Sequence, residues 1–217
     1  MKINLEARAL NAELRRAKTR ARIMEAAVGV ISAKGSAATI EDFVAAAGIA
    51  RGTFYNYFQS AAELVEAVSH GVAESVETAI AGVLDGIEDP ALEFAVFGAL
   101  IARLTVDDPT RRWANVRAEQ LQLASQVRHV SRVEGILERG RAIGRFKITD
   151  LLAARTLAMG AGRASLRNIV DGRAGHDHTA AVLSLVLGAL GVPADEAGRL
   201  CLEALQIAER PDHRSAA

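Results

Sequence analysis

The chain has 217 residues, half of them hydrophobic, and its 26 Lys and Arg are matched by 26 Asp and Glu. That length suits one large domain, or a small one joined to a larger one, with a sizeable core. One cysteine, Cys201, excludes an internal disulfide and a cysteine-based zinc site, and zero net charge excludes a uniformly basic polyanion binder.

Alanine is abundant and aromatics are only 4% of the chain, which favours helices over sheets. The charge is unevenly placed. Residues 1–60 hold nine Lys and Arg against five Asp and Glu, a balance of +4, whereas residues 61–217 hold 17 against 21, a balance of −4. A basic head on an acidic body puts a polyanion partner at the N-terminal end. The first residues are charged, so no signal peptide is expected. The longest apolar run, Thr179 to Val192, contains Ser184 and two glycines and is too short to span a bilayer. The expected location is the cytoplasm, away from membranes.

In chain order, residues 1–17 alternate charges with Ala and Leu and read as a frayed helical arm or a disordered tail. From Thr19, Ile23, Ala27, Val30 and Ile31 recur at helical spacing until Gly35 stops the helix. Thr39 caps a second helix, with Asp42 three residues on in a variant capping box. Ile40, Phe43, Val44 and Ala47 face inward, Gly48 permits a left-handed turn, and Ile49 anchors it. A third helix runs from Arg51 to Phe58 with Phe54 and Phe58 in the core. Ser60 and Glu63 form a capping box that opens a long helix striped by Leu64, Val68, Val72, Val76, Ile80, Val83 and Ile87. Such a helix can act as a lever between head and body. Asp89-Pro90 and Asp108-Pro109 start further helices. Others span Ser125 to Ile143, Thr149 to Val170 and His178 to Leu190, and a last one follows Pro193. The reading is all-α, without a strand or an internal repeat.

Two short helices broken at Gly48, the second polar on one side, are what a helix-turn-helix needs to lay one helix in a DNA major groove. The run Lys34-Gly35, Thr39, Glu41-Asp42-Phe43, Ala47-Gly48-Ile49, Arg51-Gly52-Thr53-Phe54-Tyr55-Asn56-Tyr57-Phe58, Ser60, Glu63-Leu64 resembles the DNA-binding domain of the TetR family of bacterial transcriptional regulators. The resemblance covers residues 19–68; beyond them only length and helix pattern are similar. It departs at Ala61, where many members have a phosphate-contacting Lys, and at Ala50, where Ser or Thr is common. It implies a three-helix DNA-binding domain over 18–62 after an arm at 1–17, and a larger helical ligand-binding and dimerisation domain over 63–217.

Candidate site residues follow. With Phe54 and Phe58 inward, Thr53, Tyr55 and Asn56 face outward. A Thr methyl or Tyr ring can meet a thymine methyl, and Asn56 can pair with adenine. Arg51 can pair with guanine or grip phosphate. Gly52 lets the backbone approach, Tyr57 offers a hydroxyl to phosphate, and Thr39 marks a helix N-terminus suited to an anion. Lys18 and Arg20 add backbone contacts. In the body, Phe94, Phe97, Trp113, Val116 and Met159 are ordinary core by spacing, and the resemblance points to a cavity, with Arg117 able to orient a ligand. Ala158, Gly162 and Ser165 form a small-residue stripe. Val182, Leu183, Val186 and Leu190 belong to a helix apolar on too many sides for one subunit to cover. These seven are the expected homodimer interface. His176-Asp177-His178 lacks a third ligand, and Asp177 reads better as a helix cap. No spacing supports a catalytic constellation, so no enzyme and no cofactor are expected. The expectation is a homodimeric repressor that binds a palindromic operator on double-stranded DNA and is released by a small apolar or amphipathic effector. The alternative is a small-molecule binding protein of this fold that does not read DNA.

Overall fold

The computed structural model describes residues 2–106, 124–175 and 177–210. Asp108-Pro109, Trp113, Val116, Arg117 and His176 lie outside them. Within the described residues the chain is helical, with no strand. It divides into two compact units, 1–72 and 73–217.

The first unit begins with α1 (Lys2–Lys34), which starts well before Thr19 and includes the arm. No Gly or Pro interrupts residues 2–28, and Ala, Leu and Arg are strong helix formers. Gly35, at φ 56°, turns the chain into a single 3-10 turn, Gly35–Ala37. Then follow α2 (Ile40–Ala47) and the short α3 (Arg51–Tyr55), which stops three residues before the expected Phe58. Ile23, Ala27, Ile31, Phe43, Phe54, Phe58, Leu64 and Val68 are all buried and form this unit's core. The boundary between the units falls inside α4 (Ala61–Leu84), beyond the 62/63 junction read from the sequence. At 24 residues α4 is about 36 Å long, and the turn at Gly86, φ 84°, follows it before Ile87.

The second unit continues through α5 (Pro90–Val106), α6 (Ala124–Ala142), α7 (Leu151–Val170), α8 (His178–Ala189) and α9 (Ala194–Glu209). Helix α5 is central, packing on α6, α7, α8 and α9. Its apolar residues are buried nearly all round, from Ala91 through Leu100. Polar ties fix the ends of these helices. The Arg145 guanidinium donates to both Asp89 carboxylate oxygens at 2.8 and 3.0 Å and to Glu196 Oε1 at 2.8 Å. The hydrogen bonds from Arg145 hold the Asp89 carboxyl below its ordinary pKa and raise that of the guanidinium. Helix α7 starts at Leu151, because Asp150 rather than Thr149 is its cap, accepting from the Ala153 N–H at 3.0 Å. Asp177 holds the cap position of α8, but its side chain makes no capping bond. Cys201 is buried and unpaired, and burial pushes its thiol up to about 11.

Candidate functional site

The head presents its polar residues by local rules. Thr39 Oγ1 accepts from the Asp42 N–H at 3.3 Å, and Asp42 Oδ2 accepts from the Thr39 N–H at 3.0 Å, which closes the reciprocal cap of α2. Thr39 Oγ1 also donates to Asp42 Oδ2 at 2.9 Å, so a phosphate there competes with the cap for the hydroxyl. Lys34 Nζ donates to Asp42 Oδ1 at 2.6 Å. The Asp42 carboxyl is held down at about 2, chiefly by Lys34 and then by Thr39. Gly48 takes the left-handed conformation, φ 60° and ψ 43°, while the Ile49 N–H bonds to the Val44 carbonyl at 3.1 Å. A residue with a Cβ is strained in that conformation, so Gly48 sets how α3 leaves α2.

Helix α3 has no side-chain cap, because Ala50 has no polar atom to give one. Its hold on the unit is aromatic. Phe54 and Phe58 are 0% and 1% exposed, their rings 5.9 Å apart. That burial turns Arg51, Gly52, Tyr55 and Asn56 to solvent and leaves Thr53 and Tyr57 half-buried. Arg51 is engaged: its guanidinium lies 2.8 Å from Glu41 Oε1 and over the Tyr55 ring. Both partners of that ion pair are over 60% exposed, so exchanging Glu41 for a nucleic-acid acceptor costs little. Lys18 and Arg20 are exposed on α1, and Arg20 lies over the Phe58 ring at 5.1 Å. The Ser60 hydroxyl accepts from the Glu63 N–H at 3.1 Å, but the Glu63 carboxylate accepts from Gln59, one residue before the position a full capping box uses.

In the body, α5, α7 and α8, with Val133 of α6, line a partly open, largely apolar cavity of about 110 Å³. Phe94, Phe97 and Met159 meet there, with Gly98, Ile101 and Leu166. The small-residue stripe lies on the same wall: Ala158, Gly162 and Ser165 all line the cavity, as do Val182 and Leu183. Ala158, Ser165, Leu183, Val186 and Leu190 are each at most 7% exposed within one chain. Of the other residues expected at a dimer interface, Gly162 is exposed and Val182 half-buried. Helices α5 and α9 cover α8 on the sides that periodicity left unassigned. The large apolar side chains these two helices leave exposed are Leu152 and Leu157 on α7 and Leu185 on α8.

Sequence reasoning missed one unpartnered hydroxyl and one ion pair, that of His129, which it read as able to orient a ligand. The Ser165 hydroxyl is buried with no hydrogen-bond partner among the described residues, and it borders the cavity. A buried unpartnered hydroxyl is unfavourable, so a polar group entering the cavity can satisfy it. The signal in the sequence was a lone Ser in a small-residue stripe, and spacing assigned it to packing. His129 Nε2 is 2.6 Å from Glu77 Oε1, and its ring meets the edge of Phe97 at 5.7 Å. Glu77 belongs to α4, so Phe97 joins the cavity wall to that helix through His129. No group of acidic, His or Cys side chains among the described residues could hold a metal.

Comparison with known proteins agrees with this geometry. Residues 23–68 match the family model described as bacterial regulatory proteins, tetR family. The HTH-type transcriptional regulator YvdT of Bacillus subtilis is 44% identical over 69 residues, 31% of this chain and 36% of YvdT, so the match spans about a third of that relative. Over nearly the whole chain, the crystal structure of RolR in complex with resorcinol is similar, with 28% identity, 92% of this chain and 97% of that one covered, and a TM-score of 0.65. The fatty acid degradation regulator FadR from Bacillus halodurans shares the fold at 22% identity, covering 80% of this chain and 97% of its own, with a TM-score of 0.68. With its capped α2, left-handed Gly48 and aromatic-anchored α3, the head carries the DNA-binding domain of the tetR family of bacterial regulatory proteins, matched over residues 23–68.

Proposed function

We propose that this protein is a homodimeric, effector-responsive DNA-binding regulator that acts as a repressor. The observation that carries the reading is α3: buried Phe54 and Phe58 hold it so that Arg51, Tyr55 and Asn56 are exposed and Thr53 and Tyr57 half-exposed on one short helix. Thr53, Tyr55 and Asn56 meet base edges, while Tyr57, Lys18, Arg20 and the α2 N-terminus at Thr39 meet phosphates. In a two-fold dimer, two such helices enter successive major grooves about 34–36 Å apart.

The effector occupies the α5–α7–α8 cavity. Its volume is of the order that takes a single aromatic ring, and the similarity to RolR, solved with resorcinol, supports a small phenolic molecule. Ser165 gives such a ligand one hydrogen bond in a largely apolar pocket whose other polar lining residues are Arg163 and Thr179. Occupancy presses on Phe97, and His129 and Glu77 carry the change to α4, which both units share. The effector releases DNA only to the extent that it binds the released state more tightly. The dimer forms through the outer sides of α7 and α8, where Leu157 and Leu185 are 45% and 75% exposed.

The test is fluorescence anisotropy with duplexes from the region upstream of the protein's own gene, with and without resorcinol. Binding that resorcinol weakens, together with a raised melting temperature, is expected. No binding to any of these duplexes would overturn the regulator reading. Binding that resorcinol and related phenols leave unchanged would overturn the effector assignment.

A further inference from the structure

We propose that residues 8–16 of α1, which precede both the family match and the Lys18 and Arg20 contacts, are a second DNA-backbone clamp, a basic helix face continuous with the α3 contacts. The inference rests on the DNA-reading proposal and extends it to a segment to which neither the family match nor the helix-turn-helix assigns a role. The match begins at residue 23, yet α1 begins at Lys2 and runs unbroken into it.

Three observations point the same way. First, Arg8, Asn11, Arg15 and Arg16 line one open groove together with Asn56 and Tyr57. The spacings 8, 11, 15 put these residues on one helix face. Second, the extension is tied to the end of α3. The Arg16 guanidinium donates to the Asn56 carbonyl at 3.2 Å and lies 5.7 Å from the centre of the Tyr57 ring. Any strand whose phosphate reaches Tyr57 therefore comes close to Arg16 and its neighbours on that face. Third, the groove lining contains no acidic residue among the described residues. Turning by about 100° per residue, α1 carries Glu13 on the side away from the groove.

Charge identifies the occupant. Two exposed guanidinium groups, Arg8 and Arg15, beside a Tyr hydroxyl and an Asn, with no carboxylate among the described lining residues, suit a polyanion of regular spacing. That occupant is the phosphate backbone flanking the major-groove contact. Contacts to phosphate strengthen binding without selecting sequence.

The experiment compares wild type with an Arg8→Ala/Arg15→Ala double variant of the full chain. It uses two probes, a mixed-sequence duplex and a duplex from the protein's own upstream region, each over a range of salt. Both residues are exposed, so helicity and melting temperature should not change. The expected result is weaker binding by the same factor on both probes. The slope of log affinity against log salt should become shallower by about 1.8 per bound subunit, two phosphate contacts at about 0.9 each. An Arg8→Lys/Arg15→Lys variant should restore the slope. A double variant with the wild-type slope, in a protein that binds DNA and loses affinity on Tyr57→Ala, overturns the clamp and leaves the DNA-reading proposal standing. A wild type that binds neither probe overturns both.

Discussion

The head and the body differ in the range over which their structure is decided. In residues 1–72 the deciding interactions are short-range: Thr39 with Asp42, Gly48 with Val44, Ser60 with Glu63, Phe54 with Phe58. In residues 73–217 they are long-range: Arg145 holds Asp89 and Glu196, more than fifty residues away on either side, and α5 packs on α9 from the far end of the chain. A site built from short-range interactions sits on a fixed frame. One built between distant helices is a cavity whose shape depends on how several helices settle, which suits a site that must respond to occupancy.

Changes placed in each region test that contrast. The largest effect is expected from Phe54→Ala, which removes a fully buried ring from the head and should cost about 3–5 kcal/mol. DNA binding should disappear, while resorcinol still raises the melting temperature of the remaining structure. Loss of both together in calorimetry would mean that the regions do not fold as separable units.

Next comes Leu185→Glu. Burying a Leu contributes roughly 1.5–3 kcal/mol per subunit, and this side chain is 75% exposed in the single chain. Sedimentation should give monomers that fold normally and bind DNA poorly. A soluble dimer with wild-type DNA affinity would move the interface elsewhere.

Ser165→Ala should act in the opposite direction on stability. It removes a buried hydroxyl without a partner among the described residues and should stabilise the body by about 1 kcal/mol in chemical denaturation. The same change should weaken the response to resorcinol more than the response to a ring without hydroxyls. Equal losses for both ligands would show that Ser165 only shapes the wall.

The smallest effect is at the α2 cap. Thr39→Ala should cost about 1 kcal/mol, read from thermal unfolding. Asp42 gives the same cap a pH signature. Its folded pKa is lowered to about 2 from an ordinary 3.8, so its contribution is complete above the ordinary value and is lost as pH falls towards 2. An Asp42→Asn variant should lack that part of the acid transition.

Sequence legibility follows the same division. The cap at Thr39, the left-handed Gly48 and the inward Phe54 and Phe58 were readable because each depends on neighbours within a few residues. The end of α3 was not, since Phe58 is buried whether or not the helix reaches it. The α1 extension read as frayed because nothing in 1–17 shows that Arg16 will meet Asn56, forty residues on. In the body, periodicity identified which faces are apolar but not what covers them. Leu183, Val186 and Leu190 looked surplus because α5 and α9, which cover α8, are distant in sequence. Ser165 looked like packing for the same reason: its missing partner is visible only once the cavity is formed.

The most direct test of the central claim is selection of duplexes from a random pool by wild type and by Asn56→Ala. The account predicts that wild type enriches a two-fold symmetric site with half-sites about one helical turn apart. Asn56→Ala should enrich the same site with preference relaxed at one or two base pairs per half, a loss of about 1–3 kcal/mol of discrimination at each. An Asn56→Ala variant with unchanged preferences, or a wild type that enriches no site, would contradict it.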